Sequence, residues 1–90
     1  MKAYLVSYDL DKPGQDYTDL INAIVRIGGV KGLYSEWFVP TTTLSASQIY
    51  DYLAPFTDSN DRLLVVGLTG EAAWRNLMVS NETVRKLLAA

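Results

Sequence analysis

Two stretches with helical spacing lie between strand-like runs inside a chain of 90 residues, and this alternation restricts the fold more than any other feature. Lys2 to Leu10 is rich in Tyr, Leu and Val and alternates only weakly, as a strand covered on both faces does. Pro13-Gly14 marks Asp11 to Gln15 as a loop. Asp16 is the expected N-cap of the first helix, with Asp19 in the first turn, where the helix dipole favours an anion. Leu20, Ile21, Ile24 and Ile27 form an apolar stripe, and Gly28-Gly29 is a natural stop. Leu33 to Val39 reads as strand, and its continuation to Thr43 allows either a bent strand or a tight hairpin. Ser45-Ala46-Ser47-Gln48 matches a capping box, followed by Ile49, Leu53 and Phe56 on one face. Pro55 and the polar residues Thr57 to Asp61 end that helix. Arg62 to Thr69 is the plainest strand. Beyond Gly70 the spacing predicts helix over Glu71 to Leu77, and again over Glu82 to Ala89 with Ser80 or Asn81 as cap.

The order strand, helix, one or two strands, helix, strand predicts an α+β fold of the ferredoxin-like, split βαβ kind. Two helices would cover one face of an antiparallel sheet. A single domain over residues 1–90 is expected, with a core over about 2–69 and a helical tail over about 71–89. The second sheet face would be left bare, with Tyr4, Tyr8, Tyr34 and Trp37 available to populate it. A chain this small buries only about 60–65% of its unfolded surface, so a bare apolar face points to a homodimer.

Composition narrows the chemistry. Hydrophobic residues make up 49% and charged residues 20%, too apolar a mix for a disordered chain. With no cysteine and no histidine, thiolate zinc sites, cysteine nucleophiles and histidine general bases are excluded. Any metal site would be built from oxygen ligands, which suits Mg²⁺, Mn²⁺ or Ca²⁺. Eight Lys+Arg against ten Asp+Glu give a net charge of −2, which counts against tight, non-specific nucleic-acid binding. The longest apolar run, Leu63 to Leu68, is too short to span a bilayer, so no membrane partner is expected. Met1-Lys2 leads straight into a strand-like run without a signal-peptide core, and the cytoplasm is the expected location.

Several short motifs carry a resemblance. Tyr4-Leu5-Val6-Ser7-Tyr8-Asp9-Leu10 resembles the opening strand of the CRISPR-associated adaptation endoribonuclease family, the small dimeric subunit of the spacer-integration complex. Tyr8-Asp9-Leu10 stands where that family has its hydrophobic-Tyr-Asp-hydrophobic signature. Tyr34-Ser35-Glu36-Trp37-Phe38 is similar to its Ser followed by large apolar residues, and Asp61 to Val66 to its last core strand. The closer similarity is to a divergent, SinR-like branch, through Ser7 to Leu10 with Lys12-Pro13-Gly14, Leu44-Ser45-Ala46, Asn60 to Val65 and Thr69-Gly70. It spans about residues 2–75. The resemblance implies a homodimer in which Asp9 faces its twin and binds Mg²⁺. The acidic balance and the helical C-terminus depart from the family, whose members tend to basic surfaces and exchange an extra strand across the dimer.

Asp9 is the candidate catalytic residue and metal ligand. A carboxylate at the end of a strand near a twofold axis meets its symmetry mate, and two such charges either raise a pKa or capture a divalent cation. Mg²⁺ or Mn²⁺ there would activate water for phosphodiester attack. The bland alternative is that Asp9 caps the loop or helix that follows. Asp11 would add a second metal oxygen, or be a solvated turn residue. Asp9 to Gly14 imitates the start of an EF-hand, but Pro13 and Leu20 stand where ligands are required. The basic residues are scattered, and Arg85-Lys86 is explained by a helix C-terminus. The tyrosines and Trp37 suit core or dimer packing better than base stacking, since no RNP1 pattern occurs. Trp74 is the expected anchor of the terminal helix. Two functions stay open: a metal-dependent nuclease acting on RNA or DNA, and a non-catalytic dimeric scaffold binding a protein or nucleic-acid partner.

Overall fold

In the computed structural model, which describes residues 2–11 and 17–89, strand β1 (Lys2–Asp9) runs through the middle of a four-stranded sheet. The hairpin of β2 (Val30–Leu33) and β3 (Glu36–Thr41) lies on one side of it and β4 (Arg62–Gly67) on the other, in the order β2-β3-β1-β4. Every neighbouring pair is antiparallel. Helix α1 (Thr18–Arg26) connects β1 to β2, which have β3 between them. Helix α2 (Ala46–Leu53), extended by a 3₁₀ turn over Ala54–Phe56, connects β3 to β4, which have β1 between them. A third helix, α3 (Asn81–Leu88), follows the sheet. The region Leu33 to Thr43 is thus a hairpin, with Tyr34 and Ser35 at its turn, and not one bent strand.

The main core lies between the sheet and α1 and α2. Tyr4, Val6 and Tyr8 of β1 and Trp37 and Val39 of β3 meet Leu20, Ala23 and Ile24 of α1 and Ile49 and Leu53 of α2. Alternate residues of a strand share one face, so the pattern of β1 places its aromatic set on the helix side. This corrects the expectation of aromatics on a bare face: Tyr4, Tyr8 and Trp37 are buried under the helices. Their polar atoms explain why burial is tolerated, since the Trp37 indole N–H donates to the Tyr8 hydroxyl at 3.2 Å. Tyr34 alone of the four is exposed, at the hairpin turn. Each fully buried Leu or Ile contributes about 2–3 kcal/mol of apolar transfer.

Local signals account for the helix ends. Gln48 N–H donates to Ser45 Oγ at 3.2 Å and Ser45 N–H donates to Gln48 Oε1 at 2.9 Å, closing the capping box at the start of α2. Helix α1 starts at Thr18 with Tyr17 in the cap position; the expected cap Asp16 and the Lys12-Pro13-Gly14 turn lie outside the described residues. Gly28, at φ +92°, ends α1 in the left-handed region.

The tail differs from its expected form. Residues 71–80 are irregular, and only Asn81–Leu88 is helical, capped by Ser80 whose Oγ accepts from Thr83 N–H at 3.2 Å. The apolar residues Ala72, Ala73, Trp74 and Leu77 produced the helical spacing, yet they lie along the second sheet face beside Leu5, Phe38 and Leu68. Asn76, at φ 58°, interrupts any helix there, a conformation that asparagine adopts more readily than most residues. Leu68 N–H donates to Ala3 O beside β4, and Met78 N–H donates to Gly32 O in β2, so the segment crosses the whole sheet. Helix α3 then returns, bringing Leu88 O close to Gly70. The second face is therefore partly covered. Ala3, Val84 and Leu87 are buried apart from the main core, while Leu64 and Val66 stay exposed.

Candidate functional site

Asp9 ends β1 on the partly covered face, on the same side as Leu5 and Ser7. The β1–β4 register sets it opposite Arg62, the first residue of β4. Arg62 Nη1 donates to Asp9 Oδ2 at 2.8 Å, an ion pair with side-chain exposures of 82% and 71%. Opposite charges facing each other across antiparallel strands stabilise the pairing. At this exposure the contribution is under about 1 kcal/mol. Asp9 Oδ1 keeps no partner among the described residues. Ser7, Asp9, Arg62 and Leu64 line a shallow pocket of about 160 Å³ at this end of the sheet.

Asp11, two residues beyond Asp9, is held through its backbone. Its backbone N–H donates to Asp61 Oδ1 at 2.8 Å, and the Tyr17 hydroxyl donates to the same oxygen at 3.2 Å. Asp58 N–H donates to Asp61 Oδ2 at 2.8 Å, so one carboxylate gathers the end of β1, the start of α1 and the loop before β4. Among the described residues no group of three His, Cys, Asp or Glu side chains converges on one point.

These observations bear on the metal reading. Mg²⁺ prefers six oxygen ligands and uses one or two carboxylates with waters and substrate phosphates. One chain offers a single free oxygen at Asp9, with a guanidinium 2.8 Å from the other oxygen. A positive group so close opposes a divalent cation. Among the described residues, the carboxylates of one chain leave most of a Mg²⁺ or Mn²⁺ coordination sphere to water or to other groups.

Arg62 and Asp61 were the residues that pattern reading missed. Arg62 reads as one of several scattered cations, and Asp61 as part of a helix-ending polar cluster. Antiparallel pairing of the outgoing end of β1 with the incoming end of β4 was the signal available for both, since it sets Asp9 against Arg62. Three other cations have partners. Arg26 Nε donates to the Tyr52 hydroxyl at 3.1 Å, Lys31 lies over the Tyr34 and Trp37 rings, and Lys86 pairs with Glu82 at 3.4 Å. Trp74 does anchor the tail, its indole N–H donating to Asn81 Oδ1 at 3.0 Å.

Comparison with known proteins found no matching family model, no matching curated protein and no matching solved structure. Among the described residues, no helix is long and apolar enough to cross a membrane.

Proposed function

We propose that the chain is a ferredoxin-like, homodimeric, non-catalytic scaffold that binds a protein or nucleic-acid partner in the cytoplasm. The ferredoxin-like reading is supported by two helix-bearing connections that each step over one strand, in the order β2-β3-β1-β4. The dimer is supported by the exposed apolar residues Leu64 and Val66 beside Ser7, which the tail leaves open on the second face. The observation that carries the non-catalytic reading is the ion pair that occupies Asp9. A guanidinium 2.8 Å from Asp9 competes with a divalent cation for that carboxylate, and the chain has no histidine to serve as a general base.

One observation favours a second reading, a divergent nuclease of the CRISPR-associated, SinR-like kind acting on RNA or DNA. Asp9 stands at the open end of β1, on the face available to a second copy. A twofold axis there would bring two Asp9 carboxylates together, with Asp11 nearby in sequence. That arrangement would supply the oxygens one chain lacks for Mg²⁺ or Mn²⁺.

The test is a panel of labelled single- and double-stranded RNA and DNA, incubated with Mg²⁺, Mn²⁺ or EDTA, for the wild type and Asp9→Asn. The scaffold reading expects a dimer by sedimentation velocity and the same background in every arm. Metal-dependent cleavage that disappears in Asp9→Asn would replace it with the nuclease reading. A monomer at micromolar concentration would remove the dimer from both.

A further inference from the structure

The tail builds a second site, remote in sequence from Asp9. Trp74, Arg75, Asn76, Asn81 and Arg85, with Ala73, line a cleft of about 410 Å³ between the irregular segment and α3. No carboxylate lines it among the described residues, in a chain whose net charge is −2. Neither Arg75 nor Arg85 has a carboxylate or hydrogen-bond partner among the described residues, unlike Arg26, Arg62 and Lys86. Two guanidiniums in the lining of one cleft, with no carboxylate in that lining, favour an anion there.

Asn76 and Asn81 are the other polar side chains of the cleft, and Asn81 shares the arginines' preference for an acceptor. Asn81 Oδ1 already accepts the Trp74 indole N–H at 3.0 Å, so its amide N–H groups are the ones left to meet a ligand. The cleft therefore presents donors from Arg75, Arg85 and Asn81. A guanidinium fork matches phosphate geometry better than any other side chain does.

Trp74 adds the second half of the argument. It is also part of the wall of an apolar cavity of about 190 Å³, with Leu5, Phe38, Leu68, Leu77 and Val84. One fixed indole thus stands between an apolar space and a cationic cleft. A ligand that pairs a flat ring with a phosphate meets both requirements, because a base stacks on an aromatic side chain while its phosphate reaches the guanidiniums.

We infer that the cleft of Trp74, Arg75, Asn81 and Arg85 binds a phosphorylated nucleoside, either free or at the 5′ end of a single strand. None of the residues that line it is among those that line the pocket at Asp9.

The test uses the full chain, with calorimetry and intrinsic tryptophan fluorescence. Probes are AMP, adenosine, inorganic phosphate, and a thymidine pentadeoxynucleotide with and without a 5′-phosphate, all at one ionic strength. Saturable binding of AMP or of the phosphorylated pentamer is expected, with adenosine and phosphate at least about tenfold weaker, since a charge-assisted hydrogen bond or a stacked base is each worth that much. Arg75→Gln with Arg85→Gln should weaken binding at least about tenfold while leaving the thermal midpoint unchanged, since both side chains are exposed. Trp74→Phe, which keeps a stacking ring, should retain most of it. Tighter binding of the phosphorylated pentamer than of AMP would identify a strand end as the source, and tighter AMP a free nucleotide. The assignment fails if neither phosphorylated probe saturates, if adenosine binds as well as AMP, or if the double arginine variant binds like wild type. Asp9→Asn should bind as wild type does, which separates this result from the cleavage assay.

Discussion

The two faces of the sheet are built by different means. Beneath α1 and α2, five strand residues and five helix residues close into one contiguous core, and among the described residues no buried side-chain nitrogen or oxygen lacks a hydrogen-bond partner. On the other face, a crossing segment and one short helix bury the hydrophobic residues Ala3, Val84 and Leu87, and the Ser7, Leu64 and Val66 strip stays at least partly exposed. Contiguous packing makes the first face the cooperative unit, because each side chain there loses many contacts if one element leaves. The second face is held at its ends, by the Met78–Gly32 hydrogen bond and by the seat of Leu88 against Gly70. A cover of this kind opens at lower free energy than the core beneath it. Both candidate sites lie on or beside this weaker face, where loop and tail residues can meet partners without unfolding the sheet.

The strongest challenge to that contrast is a matched pair of core truncations. Leu20→Ala, at a fully buried position of α1, should cost about 3–4 kcal/mol in urea denaturation, whereas Leu87→Ala in α3 should cost about 2 kcal/mol, since its marginal site can collapse. Equal losses would mean that the tail belongs to one core with the rest. Gly70→Ala comes next. Its φ of +94° and the Leu88 carbonyl, 2.9 Å from where a Cβ would stand, predict a loss of about 1–2 kcal/mol. In hydrogen exchange, amides of α3 should then exchange faster while those of β1 keep their protection; simultaneous loss in both would erase the distinction between the faces. The smallest effect is expected at Asp9→Asn, within about 0.5 kcal/mol by thermal unfolding, because the pair with Arg62 is exposed. A larger loss would show that the ion pair, and not the tail, organises the open end of the second face.

The sequence was most readable where a local signal and the tertiary fold agree. The Ser45/Gln48 box, the Gly28 stop and the Leu20/Ile24 stripe each depend on residues within one turn or two, and each stands as expected. The tail was misread because Ala72, Ala73 and Leu77 satisfy a helical period while their actual partners, Leu5, Phe38 and Leu68, are far away in sequence. Tyr4 and Tyr8 were assigned to the wrong face for a related reason. Weak alternation in β1 leaves both faces apolar, and only the Trp37 hydrogen bond to Tyr8 shows which side is inside. Asp9 was singled out correctly as a strand-end carboxylate, but its partner depended on a register that no single strand encodes.

The Asp61 carboxylate acts on that register. Its two oxygens hold the backbone of Asp11 just past β1 and the backbone of Asp58 just before β4. The two strands are thereby set at a fixed offset before their ladder begins. Side chains alternate with a period of two, so a slip of one residue would turn Leu63 and Val65 away from the helices and put Arg62 and Leu64 in their place. A single loop side chain thus works as a ruler for an edge strand, deciding which of its residues meet the core and which are left for a partner.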